Sequence, residues 1–260
     1  MRSIYERFRD SIRSEVPVAL ATLIEGPEVG AKLLVEESGF ALGSLGGDAL
    51  DRVVSRDAIA MLEAGTSEVR HYGPEGEARQ HDLSVFIECH ARRPHLVIFG
   101  AVDFTRALAS QGKLLGFRVT VCDAREVFAT RRRFPMADEV VVDWPDRLLE
   151  RIGGDLGPRD AVCVLTHDAK FDVPAIMGAL PTRVGYLGAM GSRQTHEKRV
   201  VRLLEEGVTS AELERVRSPI GLDIGGRTPE ETAVSIVAEI IALRTGREAP
   251  SLSEGKGSIH

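Results

Sequence analysis

The sequence predicts an α/β protein: a Rossmann-like parallel sheet in the C-terminal part, preceded by a small α+β N-terminal domain. Three observations carry this. Residues 95–123 read as apolar run, glycine turn, helical segment, apolar run and acid, the opening unit of a nucleotide-binding sheet. Further short apolar runs at 138–142, 161–165 and 184–187 alternate with helical segments, as parallel strands and their crossovers do. Residues 1–90 instead hold short apolar runs split by glycine turns, which suits an antiparallel meander. The expected division is a small domain over 1–90, a Rossmann-like domain over 91–246 and a polar, flexible tail over 247–260. Arg92-Arg93-Pro94 marks the joint.

In chain order, residues 3–14 suit a short helix, and 17–24, 31–35 and 40–42 suit strands. Gly43, Gly46 and Gly47 read as a flexible bend. Asp48 can cap a helix to about Ala64, whose Leu50, Val54, Ala58, Met61 and Leu62 recur at helical spacing. Val69–Tyr72 and Leu83–Glu88 read as two more strands. After the central unit, Asp146 opens a short helix and 153–158 is a loop. Residues 173–180 are helical, with Pro174 tolerable only in the first turn. Helices follow at about 194–206 and 210–216. Ser218–Arg227 is a glycine-rich loop. Thr228-Pro229-Glu230-Glu231 is a capping box that opens a helix to about Arg244.

The 260 residues are 43% hydrophobic and 28% charged, an ordinary globular balance. The net charge of −6 disfavours broad nucleic-acid binding. No apolar run approaches the roughly 20 residues of a transmembrane segment, and no signal-peptide core precedes the first strand, so the cytoplasm is expected. Cys89, Cys122 and Cys163 are odd in number and widely spaced in apolar runs. Buried reduced thiols are the plain reading; a sulfur-carrying role for one would need exposure and a depressed pKa.

Ligands of an open parallel sheet bind beyond the carboxyl ends of its strands. That rule gathers four loops: Gly100–Asp103, Asp123–Arg125, Thr166-His167-Asp168 and Gly188–Arg193. A dinucleotide fingerprint would put glycine at 102 and 105, where this chain has Val102 and Thr105. Asp103 can cap the following helix and occupy amides that a phosphate would want. Gly188, Met190, Gly191, Ser192 and Arg193 make the better anion candidate, with freed amides, a cap and a cation; a plain strand-to-helix turn is the competing reading. Asp123 reads as a hydroxyl acceptor or a strand-end cap. His167, beside Asp168 and Asp172, reads as a base, a metal ligand or a satisfied turn. Arg131-Arg132-Arg133 reads as a solvated face or an anion grip. Asp223, Gly225, Gly226 and Arg227 either close over the site or merely connect.

The runs YLGAMGSRQTHEKR (186–199), SPIGLDIGGRTPEETAVSIVAEIIA (218–242), VCVLTHDAKFDVP (162–174) and FGAVDFTRAL (99–108) closely resemble the XdhC/CoxI family. The stretches 18–35 and 43–54 resemble its first domain more loosely. The resemblance implies an accessory protein, commonly a homodimer, for a xanthine dehydrogenase-like molybdenum hydroxylase. It would bind molybdenum cofactor of the molybdopterin type, support its sulfuration with a cysteine desulfurase, and insert it. On that analogy Gly100, Asp123, Arg125, Thr166, His167, Asp168, the 188–193 turn and Asp223, Gly225 and Gly226 face the cofactor. The family usually has glycine and histidine where this chain has Val102 and Asp103, and Asp48 replaces a glycine or cysteine. The alternative from the residues alone is an NAD(P)-dependent oxidoreductase with a degenerate fingerprint.

Overall fold

Alternating hydrophobicity builds the first unit, and continuous hydrophobicity builds the second. A computed structural model describes residues 3–77 and 81–254; of the expected tail, 255–260 lie outside the described residues. The chain forms two units that meet in sequence at Arg92 and Arg93.

In the first unit, α1 (Ile4–Arg13) is opened by a Ser3–Glu6 capping box. The strands β1 (Val18–Glu25), β2 (Lys32–Glu36), β3 (Ala41–Ser44), β4 (Glu68–Tyr72) and β5 (Leu83–His90) make one antiparallel sheet, ordered β3-β2-β1-β5-β4. Residues of one parity, among them Ala19, Ala21, Leu23, Leu33, Val35, Val85 and Ile87, pack with Leu50, Val54, Ala58, Met61 and Leu62 of α2 (Asp48–Ala64). Two expectations need correction. Gly43 is a residue of β3, not part of a bend. Asp48 is the first residue of α2, not its cap; the cap is Gly47, and Asp51 accepts the Leu45 amide at 2.8 Å.

The second unit holds β6 (His95–Phe99), α3 (Asp103–Leu114), β7 (Arg118–Cys122), β8 (Glu139–Val141), α4 (Pro145–Ile152), β9 (Ala161–Val164), α5 (Ala169–Ala179), β10 (Tyr186–Ala189), α6 (Arg193–Glu205), α7 (Ser210–Leu213), β11 (Val216–Arg217) and α8 (Pro229–Thr245). All six strands are parallel, in the order β11-β10-β9-β6-β7-β8. Counted from β6 this is the doubly wound order 3-2-1-4-5-6, with its topological switch between β6 and β9. Leu96 and Ile98 pack with Leu108 of α3 and with Ala233, Ile236 and Ile240 of α8. Val97 and Phe99 face the other way, onto Leu148 of α4, Ala175, Ile176 and Ala179 of α5 and Leu203 of α6. Strands buried on both faces are why these runs are unbroken in sequence.

Local boundaries differ from expectation in ways that matter for the site. β10 lies two residues later than its apolar run suggests, so Gly188 is a strand residue paired with Cys163 and Arg217. A Cβ there would lie 2.6 Å from Ile220 atoms, so this glycine serves packing. α5 begins at the Asp168 cap and carries Pro174 inside it rather than in its first turn. β11 replaces the end of an expected helix. The β7–β8 crossover contains no regular helix; Phe134 buries into the core beneath it. Arg131 donates to the carbonyls of Ala137 and Asp138 at 2.5 Å each, and Arg133 to those of Ala101 at 2.9 Å and Phe128 at 3.2 Å. Arg131 and Arg133 thus brace backbone carbonyls, while Arg131 and Arg132 remain exposed as a solvated face would be. Among the described residues no helix is long and apolar enough to cross a membrane.

Gly100 ends β6 at φ +107°, and a Cβ there would sit 2.7 Å from Thr166 Cγ2 and 3.1 Å from its amide nitrogen. Gly100→Ala is therefore expected to lose about 1–3 kcal/mol from the backbone conformation alone, read as a lower urea midpoint with an unchanged slope.

Candidate functional site

The carboxyl ends of β6, β7, β9 and β10 carry the gathered loops, and they fall into two hydrogen-bonded groups. The first closes on itself. The Gly100 amide donates to the Cys122 carbonyl at 2.8 Å, the Ala101 amide to Asp123 Oδ2 at 2.8 Å, and the Val102 amide to Thr105 Oγ1 at 3.3 Å. Thr105 in turn donates to the Gly100 carbonyl. Three amides of this turn, those of Gly100, Ala101 and Val102, are taken. The expected agent of this was Asp103, and that is corrected: Asp103 makes no cap and stands 93% exposed. It borders a cavity of about 380 Å³ with Arg106, Arg133 and Glu230. The agent is Asp123.

Asp123 is buried, yet every acceptor direction is used. Oδ1 accepts the Arg125 amide and Arg125 Nε, each at 2.9 Å; Oδ2 accepts Arg125 Nη2 and the Ala101 amide, each at 2.8 Å. Burial pushes this carboxyl upward, but the Arg125 bonds and the two amides outweigh it and hold it below its ordinary value. A carboxylate offers about four lone-pair sites, so Asp123 has none left for a ribose hydroxyl in this geometry. Its expected acceptor role thus yields to a latch.

The second group centres on Arg199, a residue that no motif singles out although it ends the 186–199 run. Its guanidinium donates to Asp172 Oδ2 from Nη2 at 2.8 Å and Nε at 3.2 Å, to the Met190 carbonyl at 2.7 Å and to Ser218 Oγ at 3.2 Å. Thr166 donates to the other Asp172 oxygen. The two charged side chains are 3% and 4% exposed. Burial pushes the Asp172 carboxyl up, against the pull of Thr166 and Arg199. Thr166 is thereby a network member rather than a free ligand group. An i,i+27 partner leaves no short-range sequence signal; an arginine at a core-facing helical position is the only clue.

What this network holds steady is the turn Met190-Gly191-Ser192. The Met190 amide donates to the Val164 carbonyl at 2.8 Å. Gly191 takes φ +143°, and Ser192 caps α6 by accepting the Thr195 amide at 3.1 Å. Among the described residues no hydrogen bond reaches the amides of Gly191, Ser192 or Arg193, and the Arg193 side chain has no ion-pair partner. Ser192 and Arg193 are exposed. His167 is exposed, and Asp168 is spent on capping α5 and on Lys170 at 3.3 Å. Asp223, Gly225 and Gly226 lie on an exposed loop whose start is anchored to α8, Gly221 donating to Glu239 at 2.9 Å. No hydrogen bond brings those three to the anion turn. Among the described residues no cluster of His, Cys, Asp and Glu suits a metal ion.

The chain matches the family model of the XdhC Rossmann domain over residues 96–240 and that of the XdhC and CoxI family over residues 11–73. It is 28% identical over 240 residues to the uncharacterized protein YqeB of Escherichia coli K12, covering 88% of this chain and 44% of that one. It is 35% identical over 161 residues to a probable xanthine dehydrogenase subunit from Bacillus subtilis 168, covering 62% and 46%. Over 91 residues it is 34% identical to the molybdenum cofactor insertion chaperone PaoD of E. coli K12, covering 35% and 29%. The chain thus spans less than half the length of these relatives. A crystal structure of a xanthine dehydrogenase from Bacillus halodurans superposes with a TM-score of 0.56 at 23% identity, covering 94% of this chain and 97% of that one, a likeness of fold.

Two outcomes follow from the two groups. Asp172→Ala, which strands Arg199 in the interior, is expected to cost about 3–5 kcal/mol in denaturant melts. The depressed Asp123 carboxyl contributes stability above about pH 4, its unfolded value, and loses it as the pH falls through the lower folded value. Melts of Asp123→Asn against the parent between pH 6 and pH 2 should therefore show a shallower acid-side decline in the variant.

Proposed function

The chain belongs to the XdhC and CoxI family, and on that premise we propose an accessory protein for a xanthine dehydrogenase-like molybdenum hydroxylase. It binds molybdenum cofactor of the molybdopterin type and helps its sulfuration and insertion. The observation that carries this reading is the 190–193 turn. Free amides at the start of a long helix, with an unpaired guanidinium beside them, suit the phosphate of such a cofactor. Arg125 and Lys170 stand at the neighbouring strand ends, each paired with a carboxylate, Asp123 and Asp168. When bound, the cofactor supplies the metal and its redox chemistry; the chain's own part is to hold the anionic end and keep it oriented.

Sulfuration is assigned to a cysteine desulfurase partner rather than to this chain's thiols. Burial pushes the Cys122 thiol up to about 12 and the half-buried Cys89 up to about 11, and Cys163 is fully buried. None of the three is a ready thiolate near neutral pH. A homodimer working in the cytoplasm completes the reading. The NAD(P) oxidoreductase keeps one observation in its favour, the strand order, and meets a first turn in which the Gly100, Ala101 and Val102 amides and the Asp123 carboxylate are already committed.

Co-expressed with cofactor synthesis and a client hydroxylase, the protein is expected to carry a pterin visible by mass spectrometry. Arg193→Ala, which removes one charge-assisted phosphate contact, is expected to weaken that binding roughly tenfold or more. Absence of pterin together with unchanged client activity overturns the reading. Titration with NAD(H) and NADP(H) is expected to be silent; micromolar binding would restore the oxidoreductase.

A further inference from the structure

Beyond the anion turn, the ends of β7, β8 and β9 bring together a second set of groups. The Arg125 guanidinium lies 4.6 Å from the Phe128 ring centroid and 5.5 Å from that of Phe171. Trp144 meets Phe171 at 5.1 Å with the rings tilted by 38°. Lys170 Nζ lies 4.8 Å from the Phe171 centroid. Phe171 is buried as a backing ring, while Phe128 and Trp144 each keep 39% of their surface exposed.

Arg125 is no swinging surface side chain. Asp123 grips two of its edge nitrogens, Nε at 2.9 Å and Nη2 at 2.8 Å, which fixes the guanidinium as a rigid plate. Edge-on gripping uses the N–H groups and sets the guanidinium against the Phe128 and Phe171 rings, so cation and rings form one cluster. The side chain stays 41% exposed. Such a plate has already lost the motion that binding would otherwise cost.

We propose that Arg125, Phe128 and Trp144, backed by Phe171, form a stacking shelf for a planar heteroaromatic ring, the ring portion of a phosphate-bearing ligand. The assignment rests on the cofactor-holding reading for its phosphate half, and on this geometry for its ring half. Position supports it. The shelf residues follow β7, β8 and β9, flanking the switch point where such sheets receive ligands. The anion turn follows β10; Phe171 follows β9 one strand spacing away, Arg125 and Phe128 follow β7 at three, and Trp144 follows β8 at four, so shelf and turn stand roughly 5–19 Å apart. That range includes the reach of a ring joined to a phosphate through a linker. Both a pterin and a nucleobase present the chemistry that such a shelf accepts.

Trp144 is the chain's one tryptophan, so its fluorescence reports the shelf directly. The full chain is titrated separately with pterin-6-carboxylate and with cytidine, guanosine and adenosine monophosphates. Saturable quenching by at least one is expected; which one identifies the ring as pterin or nucleobase. Arg125→Lys keeps the charge but loses the plate, and Phe128→Ala leaves the Asp123 grip intact. Each is expected to weaken binding about tenfold, with thermal melts confirming that both variants fold. Absence of saturable quenching by all four probes at millimolar concentration overturns the shelf, as does equal affinity in both variants. If the shelf fails while Arg193→Ala still impairs client maturation, the accessory reading stands alone. If rings bind and the client is unaffected, the shelf stands and that reading falls.

Discussion

The carboxylate of Asp123, turned inward onto the Ala101 amide, is the constraint from which the carboxyl edge of the sheet takes its form. A buried charge costs several kcal/mol unless it is paired and fully hydrogen-bonded. Here four donors meet it, from the Ala101 amide, the Arg125 amide and the Arg125 side chain. In an ordinary dinucleotide fold the first crossover turn waits for a pyrophosphate and the acid after the second strand waits for a ribose. In this chain the two satisfy each other. The turn therefore needs no ligand to be stable, and a ligand that wanted it would have to displace a charge-assisted network.

That self-closure moves the open donors to the far side of the switch point. There the Arg199–Asp172 pair does the opposite job. It ties the end of β9, the start of α5, the body of α6 and the Ser218 loop to one point, and it does so beneath the turn. Replacing one partner leaves the other charge uncompensated, whereas the intact pair with its added bonds from Thr166 and to Met190 is satisfied. A rigid base beneath an unsatisfied rim is how a short turn keeps three amides without hydrogen-bond partners among the described residues and does not collapse on itself.

The strand runs were legible because parallel strands buried on both faces give unbroken apolar stretches, and β6, β7 and β9 stood almost where those stretches lie. Thr228 and Ser192 were legible as caps because capping is a local matter of one oxygen and one amide. β10 slipped by two residues because Val184 and Gly185 satisfy the apolar pattern while the ladder to β9 begins at Tyr186. α5 was cut short because Pro174 looked like a first-turn residue; tertiary packing of Phe171, Ala175 and Ile176 outweighs its missing amide. The Asp123 latch and the Arg199 pair were not legible. Both depend on which side chain reaches across the strand ends, which spacing does not encode. The arginine run is a partial case: Arg131 and Arg132 are exposed, as a run of like charges suggests, but the run gives no hint that Arg131 and Arg133 find carbonyls.

The contrast between the two turns bears on what kind of binding this surface can support. Ser192 and Arg193 are open to water, so a phosphate there competes with solvent and salt, and each contact is worth less than its buried equivalent. A site meant to keep a cofactor for catalysis would gain from burying those donors. A site meant to pass it on would not, because every kcal/mol of grip must be given back at release, about tenfold in lifetime for each 1.4. The residues with the strongest local electrostatics, Asp123 with Arg125 and Asp172 with Arg199, spend it on each other. What they leave exposed is a modest set of amides, one free arginine and flat side-chain faces. That division, strong bonds inside the frame and weak ones at the rim, is the physical form that a delivery role would take.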